Sequence, residues 1–162
     1  MVYQALLVLL LAVSFGGVLL RGAPYLPTLD RQARAALELL DLQPGQTLLE
    51  LGSGDGKVLV LAAQAGLQVV GIELNPFLVV VSWLRTRRYR QQVRIIWGDF
   101  WRVKWPACDG VFAFLLGRFM QPLDARMQAL QKPLVSFAFQ VPGREADAEK
   151  AGVYVYHYER QR

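Results

Sequence analysis

Three glycines spaced two apart, Gly52, Gly54 and Gly56, stand between a short apolar run and a helical stretch. No other feature constrains the fold of this chain as strongly. Thr47 to Leu51 is apolar and ends at the glycines, so it reads as a buried strand. Val58 to Ala65 reads as a helix, with Gly66 as its stop. Glycine lets the backbone turn sharply and lets a ligand come close to the main chain. Such a turn gains its meaning from a strand before it and a helix after it.

The rest of the chain supplies that context. Val69 to Leu74 reads as a second strand, and Pro76 opens a helix running to about Tyr89. Val93 to Trp97 is a third strand and Val111 to Leu116 a fourth. Met120 to Leu130 is a helix, and Leu134 to Phe139 a fifth strand. Val153 to Glu159 alternates and suits a last, antiparallel strand. Upstream, Ala33, Ala36, Leu37 and Leu40 form a helical stripe that Thr28 or Asp30 can cap, and Pro44-Gly45 marks the turn after it. Strands alternating with helices predict an α/β fold, a mostly parallel sheet with helices on both faces.

In open α/β sheets, ligands bind outside the carboxyl ends of the strands. Glu73 ends the second strand, where a carboxylate can accept from both hydroxyls of a ribose. Asp99 follows the third strand and can accept from an adenine amino group. Leu74 and Phe100, next to these carboxylates, join them as candidate contacts. A dinucleotide fingerprint would read G-x-G-x-x-G, but here the third glycine comes one position early. Glu50 and Asp55 would also repel a pyrophosphate, whereas a sulfonium ligand with a free amino group would welcome them. The segment Glu50, Gly52, Ser53, Gly54, Asp55 and Gly56 therefore predicts S-adenosyl-L-methionine as the cofactor. A Walker loop does not fit, because Val58 follows Lys57 where Ser or Thr is needed. A glycine turn in a non-catalytic α/β domain is the plainer alternative.

Residues 1–20 carry no charged side chain. Val2 to Leu20 would span about 28 Å as a helix, close to a bilayer core, and Arg21 follows at once. No Lys or Arg precedes the run, as a secretory signal would require. The expected organisation is a transmembrane anchor over 1–21, a connector and leading helix over 22–45, and the cofactor-binding domain over 46–162. Arg21, Arg31 and Arg34 place that domain on the cytoplasmic side of a single-pass protein, or in the mitochondrial matrix of a eukaryote. The competing reading is a helix lying on the membrane.

Charge and rare residues narrow the chemistry. There are 18 Lys and Arg against 13 Asp and Glu, a net charge of +5. That balance suits RNA, anionic lipid or an acidic protein without choosing among them. Cys108 and His157 are each unique, so an internal disulfide is impossible and a Cys/His zinc site is not expected. Arg85, Arg87, Arg88, Arg90 and Arg94 form the densest charge cluster. Its plain reading is a solvated helix end, and lipid contact comes next. Trp83, Trp97, Trp101 and Trp105 read mostly as core or membrane-interface residues.

Leu49 to Lys57, together with Gly71-Ile72-Glu73-Leu74-Asn75-Pro76, resembles the first two motifs of class I, Rossmann-like S-adenosylmethionine-dependent methyltransferases. With Pro24-Tyr25-Leu26-Pro27-Thr28 and the apolar N-terminus, the chain resembles the FAM173 family of membrane-anchored protein-lysine methyltransferases. The resemblance covers about residues 20 to 140. It implies lysine N-methylation of a membrane or membrane-associated protein, and it adds Tyr25 and Thr28 to the candidate cofactor residues. After the fourth strand the chain reads Leu115-Leu116-Gly117-Arg118 and departs from the family. No Asn-Pro-Pro-Tyr signature stands there, which argues against a DNA base as acceptor, and no nucleic-acid partner is expected. No catalytic residue is assigned. An inactive cofactor-binding module and a small-molecule or lipid methyltransferase are the alternatives.

Overall fold

The computed structural model describes residues 28–158. The expected anchor over residues 2–20 and the candidate Tyr25 lie outside the described residues. Among the described residues no helix is long and apolar enough to cross a membrane.

The elements follow in the order α1 (Asp30–Leu40), β1 (Thr47–Leu51), α2 (Lys57–Gln64), β2 (Gln68–Glu73), α3 (Pro76–Thr86), β3 (Val93–Trp97), β4 (Gly110–Ala113), α4 (Met120–Leu130), β5 (Leu134–Phe137), β6 (Ala148–Lys150) and β7 (Val153–Tyr156). They build one seven-stranded sheet in the order β3-β2-β1-β4-β5-β7-β6. The first five strands in that order run parallel. β7 runs antiparallel to β5, and β6 antiparallel to β7. The order reverses between β1 and β4, and that is where a doubly wound sheet opens its ligand crevice.

Strand alternation sorts the core into two layers. Leu48, Val69, Phe112 and Val135 meet α1 and α2 on one face, through Ala33, Ala36, Leu59 and Ala62. Leu49, Leu51, Ile72 and Val111 meet α4 on the other, through Met120, Leu123 and Met127. β1, β2 and β4 are buried on both faces, so their sequences read as nearly continuous apolar runs, interrupted in β1 by Glu50.

The structure corrects several expectations. β4 ends at Ala113 and β5 at Phe137, each short of the expected Leu116 and Phe139. Ala138 takes a left-handed φ of 67°, which breaks the strand. Helix α3 stops at Thr86 and tightens into a 3₁₀ turn over Arg87–Tyr89. Neither Thr28 nor Asp30 caps α1: Leu29 holds the cap position without a side-chain bond. Asp30 is the first helical residue, and its carboxylate reaches Lys57 Nζ at 3.2 Å instead. β6 was not expected at all. Its three residues are exposed and show no apolar alternation.

Candidate cofactor site

The loop between β1 and α2 is shaped by left-handed glycines. Gly52, Gly54 and Gly56 have φ of 74°, 55° and 79°, a region that side chains resist. Gly56 has a second reason to lack a side chain. A Cβ there would lie 2.3 Å from Ser82 Oγ and 3.1 Å from Ser82 Cα on α3. Gly71 on β2 likewise makes room for Ser53, whose Oγ would meet an added Cβ at 2.6 Å. The Gly52 and Ser53 amides both donate to the Ile72 carbonyl, at 2.9 and 3.1 Å, and carry the pairing past the end of β1.

Glu73 clamps this loop. Its Oε2 accepts from the Gly54 amide and its Oε1 from the Asn75 amide, both at 2.8 Å. Each carboxylate oxygen keeps further acceptor capacity, which suits the predicted contact with ribose hydroxyls. Burial pushes the Glu73 carboxyl up, while the amides of Asn75, Gly54 and Leu74 pull it back. Asn75 is fully buried and caps α3, its Oδ1 accepting from the Phe77 amide at 2.9 Å.

Glu50 is a buried carboxylate with an unmet polar atom. It is 4% exposed, and its Oε2 has no hydrogen-bond partner. Burial first, and then the charges of Glu73 and Asp55, push its carboxyl well above the ordinary value of 4.5. A buried carboxylate in this state favours a cation or a proton. Ser53 Oγ, Ser82 Oγ and Asn75 Nδ2 are also buried without partners, and all lie in or against the loop and its flanking helix. Unmet polar groups each cost about 1–3 kcal/mol in an interior, and their clustering marks a place where a polar ligand fits.

The remaining expected residues divide. Asp55 is committed to structure: its Oδ1 accepts from the Lys57 amide at 3.2 Å, and its other oxygen pairs with Arg85 of α3. Asp99 stands two residues beyond β3, and its Oδ1 accepts from the Trp101 amide at 2.9 Å. Phe100 packs on Trp101 with ring centroids 4.9 Å apart. Leu74 holds Trp97, whose Nε1 donates to its carbonyl at 3.1 Å. Thr28 is 8% exposed, and the Asp30–Lys57 pair ties the start of α1 to the exit of the glycine loop.

Arg126 was missed by sequence reasoning. From α4 it donates to the Phe100 carbonyl at 3.0 Å, and it lies 3.9 Å from the ring centre of Trp105. It therefore holds the loop that carries Asp99 and Phe100. An arginine inside a helix carries no mark of such a role. Beyond β4, Leu115 reaches within 4.0 Å of where a Gly52 Cβ would be. A 3₁₀ turn over Gly117–Phe119 follows, with Arg118 against the Phe119 ring and Trp101 6.1 Å from it. The segment Leu115–Phe119 contains no carboxylate and no histidine.

The sheet order and the glycine turn define a Rossmann-like class I methyltransferase fold. A crystal structure of an RNA methyltransferase from Salinibacter ruber, in complex with S-adenosyl-L-homocysteine, superposes with a TM-score of 0.77 at 26% identity. The match covers 84% of this chain and 95% of that one. Residues 50–148 match the ANTKMT methyltransferase domain, and the chain belongs to that family. The adenine nucleotide translocase lysine N-methyltransferase of Mus musculus is 37% identical over 125 residues, 75% of this chain and 54% of the relative. A lysine N-methyltransferase of Xenopus laevis, named for an ATP synthase subunit, is 35% identical over 109 residues, 65% of this chain and 47% of the relative. The chain thus spans about half the length of these curated relatives.

Proposed function

We propose that this chain transfers a methyl group from S-adenosyl-L-methionine to the ε-amine of a lysine on a membrane or membrane-associated protein. The observation that carries the donor half is Glu50, a buried carboxylate with an unpartnered oxygen at the end of β1, beside the glycine loop. Its charge answers a cationic ligand. The lysine acceptor rests on the family and on the names of the curated relatives.

When bound, the donor supplies a methyl already activated by a positive sulfur. The protein's task is to hold both reactants in line and exclude water. In this reading Glu50, at the mouth of the Gly52–Gly56 turn, receives the amino-acid end, Glu73 the ribose, and Asp99 and Phe100 the base. Leu74 and Ser53 line the cleft, Asp55 braces the loop against α3, and the family resemblance adds Thr28 and Tyr25 to the site. The apolar segment after β4 takes the lysine side chain. A desolvated amine loses its proton more readily, so a neutral nucleophile forms there without a dedicated base.

Residues 2–20 would tether the enzyme to a bilayer, with the domain on the cytoplasmic or matrix side. The test is to incubate membranes from cells lacking the gene with the full chain and labelled donor. Label on lysine of membrane proteins is expected. Label only in RNA or in small molecules would reject the acceptor assignment. Carbonate extraction tests the tether, since release into the supernatant would reject a spanning segment.

A further inference from the structure

Six large apolar side chains are prominently exposed among the described residues. Five of them gather at one edge of the molecule: Phe77, Val80, Trp83, Leu84 and Trp97. The first four share one side of α3, opposite Leu78, Ser82 and Thr86, which face inward and are buried. Trp97 closes the edge strand β3 beside the start of the same helix, pinned there by the Leu74 carbonyl. Scattered exposed apolar residues are ordinary, but a contiguous strip of this kind marks an interaction surface.

The strip is bordered by positive charge. Arg87, Arg88 and Arg90 are exposed in the turn that extends α3, and Arg90 lies 5.8 Å from the centre of the Trp83 ring. The described elements bring no carboxylate onto these three guanidinium groups, whereas Arg85 is taken by Asp55. Apolar and tryptophan side chains fringed by arginine suit the boundary between acyl chains and anionic headgroups. The chain's own apolar N-terminus is a poorer occupant, because residues 1–20 have no acidic side chain to meet the arginines.

We infer that the exposed face of α3, with Trp97, docks on the surface of an anionic bilayer. This deepens the membrane reading above and rests on it. Phe77 and Trp97 sit at the carboxyl edge of the sheet, level with Glu73, so docking brings the mouth of the cofactor site down to the lipid. A lysine close to the headgroups of an embedded protein is then within reach, and one on a freely soluble protein is disfavoured. Each arginine at an anionic surface strengthens contact by about fivefold, and three together by about a hundredfold.

The experiment uses the full chain in lipid nanodiscs of phosphatidylcholine, alone or mixed with phosphatidylglycerol. An environment-sensitive nitrobenzoxadiazole label is placed at Val80→Cys or, as a control, at Ala125→Cys on α4, which covers the other face of the sheet. Cys108 is buried, and burial pushes its thiol up to about 11, so label goes to the introduced cysteine. The expected result is a bright, blue-shifted label at position 80 only with phosphatidylglycerol, lost in the variant Arg87→Gln, Arg88→Gln, Arg90→Gln. Position 125 stays dim in both lipids. Equal brightness at position 80 in both lipids would mean that the N-terminal segment or a second copy covers the face, and overturns the inference. Equal brightness at positions 80 and 125, or a dim position 80 throughout, overturns it as well. Calorimetry with S-adenosyl-L-homocysteine on the same discs keeps the two readings apart: lost binding there counts against the cofactor site and leaves the lipid result legible.

Discussion

The loop after β1 and the segment after β4 are neighbours at the same sheet edge, yet they are built on opposite terms. The first is made of backbone and buried charge: left-handed glycines, amides claimed by Glu73, and Glu50 held with one oxygen unpaired. The second is made of packing: Leu115 and Phe119, with Trp101 of the β3–β4 loop beside Phe119 and Arg118 as its charged group. A glycine turn between a strand and a helix is a local pattern that leaves its mark in the sequence. An acceptor pocket has only to match one partner. That contrast is why the proposed donor can be read from the sequence and the proposed acceptor cannot.

The contrast can be broken most directly at Gly56. Gly56→Ala puts a methyl against the Ser82 backbone and forces a side chain into the left-handed region. It should abolish S-adenosyl-L-homocysteine binding in calorimetry and destabilise the fold by about 2–4 kcal/mol in denaturant unfolding. Retained binding would show that the loop does not form the cradle.

Glu50→Gln separates charge from shape. Donor affinity should fall by about ten- to a hundredfold, because a charge-assisted contact becomes neutral. Stability should move the other way. The folded-state carboxyl is pushed above its unfolded value, so the folded protein holds that proton more tightly. Stability without ligand is therefore highest below the unfolded value and declines as pH rises through the window up to the raised folded value. Glu50→Gln should remove its share of that decline in melting curves taken across pH, while donor binding in the wild type tightens over the same rise. A variant with unchanged affinity and an unchanged pH profile would defeat the assignment.

Smaller effects refine the boundary between the two regions. Arg126→Ala frees the loop bearing Asp99 and Phe100 and should raise the donor KM severalfold, with a stability loss of about 1–2 kcal/mol. Arg118→Gln should change the KM for the methyl acceptor alone, leaving calorimetric affinity for S-adenosyl-L-homocysteine within about twofold of the wild type. If Arg118→Gln weakened the donor instead, the segment after β4 would belong to the cofactor site.

Legibility followed the range of the interactions. β1, β2 and β3 were placed within a residue or two, because apolar runs bounded by Gly and Pro are local patterns. β6 was invisible: Ala148, Glu149 and Lys150 are exposed, and their pairing with β7 is the only reason they form a strand. Glu73 was read from the sequence as a ribose contact, and its clamp on the Gly54 amide was not foreseen, since that bond joins residues on adjacent strand ends. Arg85 looked like one more charge in a basic run, and the fold turned it toward Asp55.

By itself, the sequence determined the glycine turn, the alternation of strands and helices, and the carboxylates at positions 50 and 73. Each of these depends on residues a few positions apart, where steric rules and periodicity act alone. Only the tertiary structure decided that β4 would lie beside β1, that Arg126 would reach across to the loop after β3, and that α3 would show an apolar face to the outside. Those outcomes depend on which segments become neighbours, and a helix with apolar residues all round does not say in advance which side its own sheet will cover.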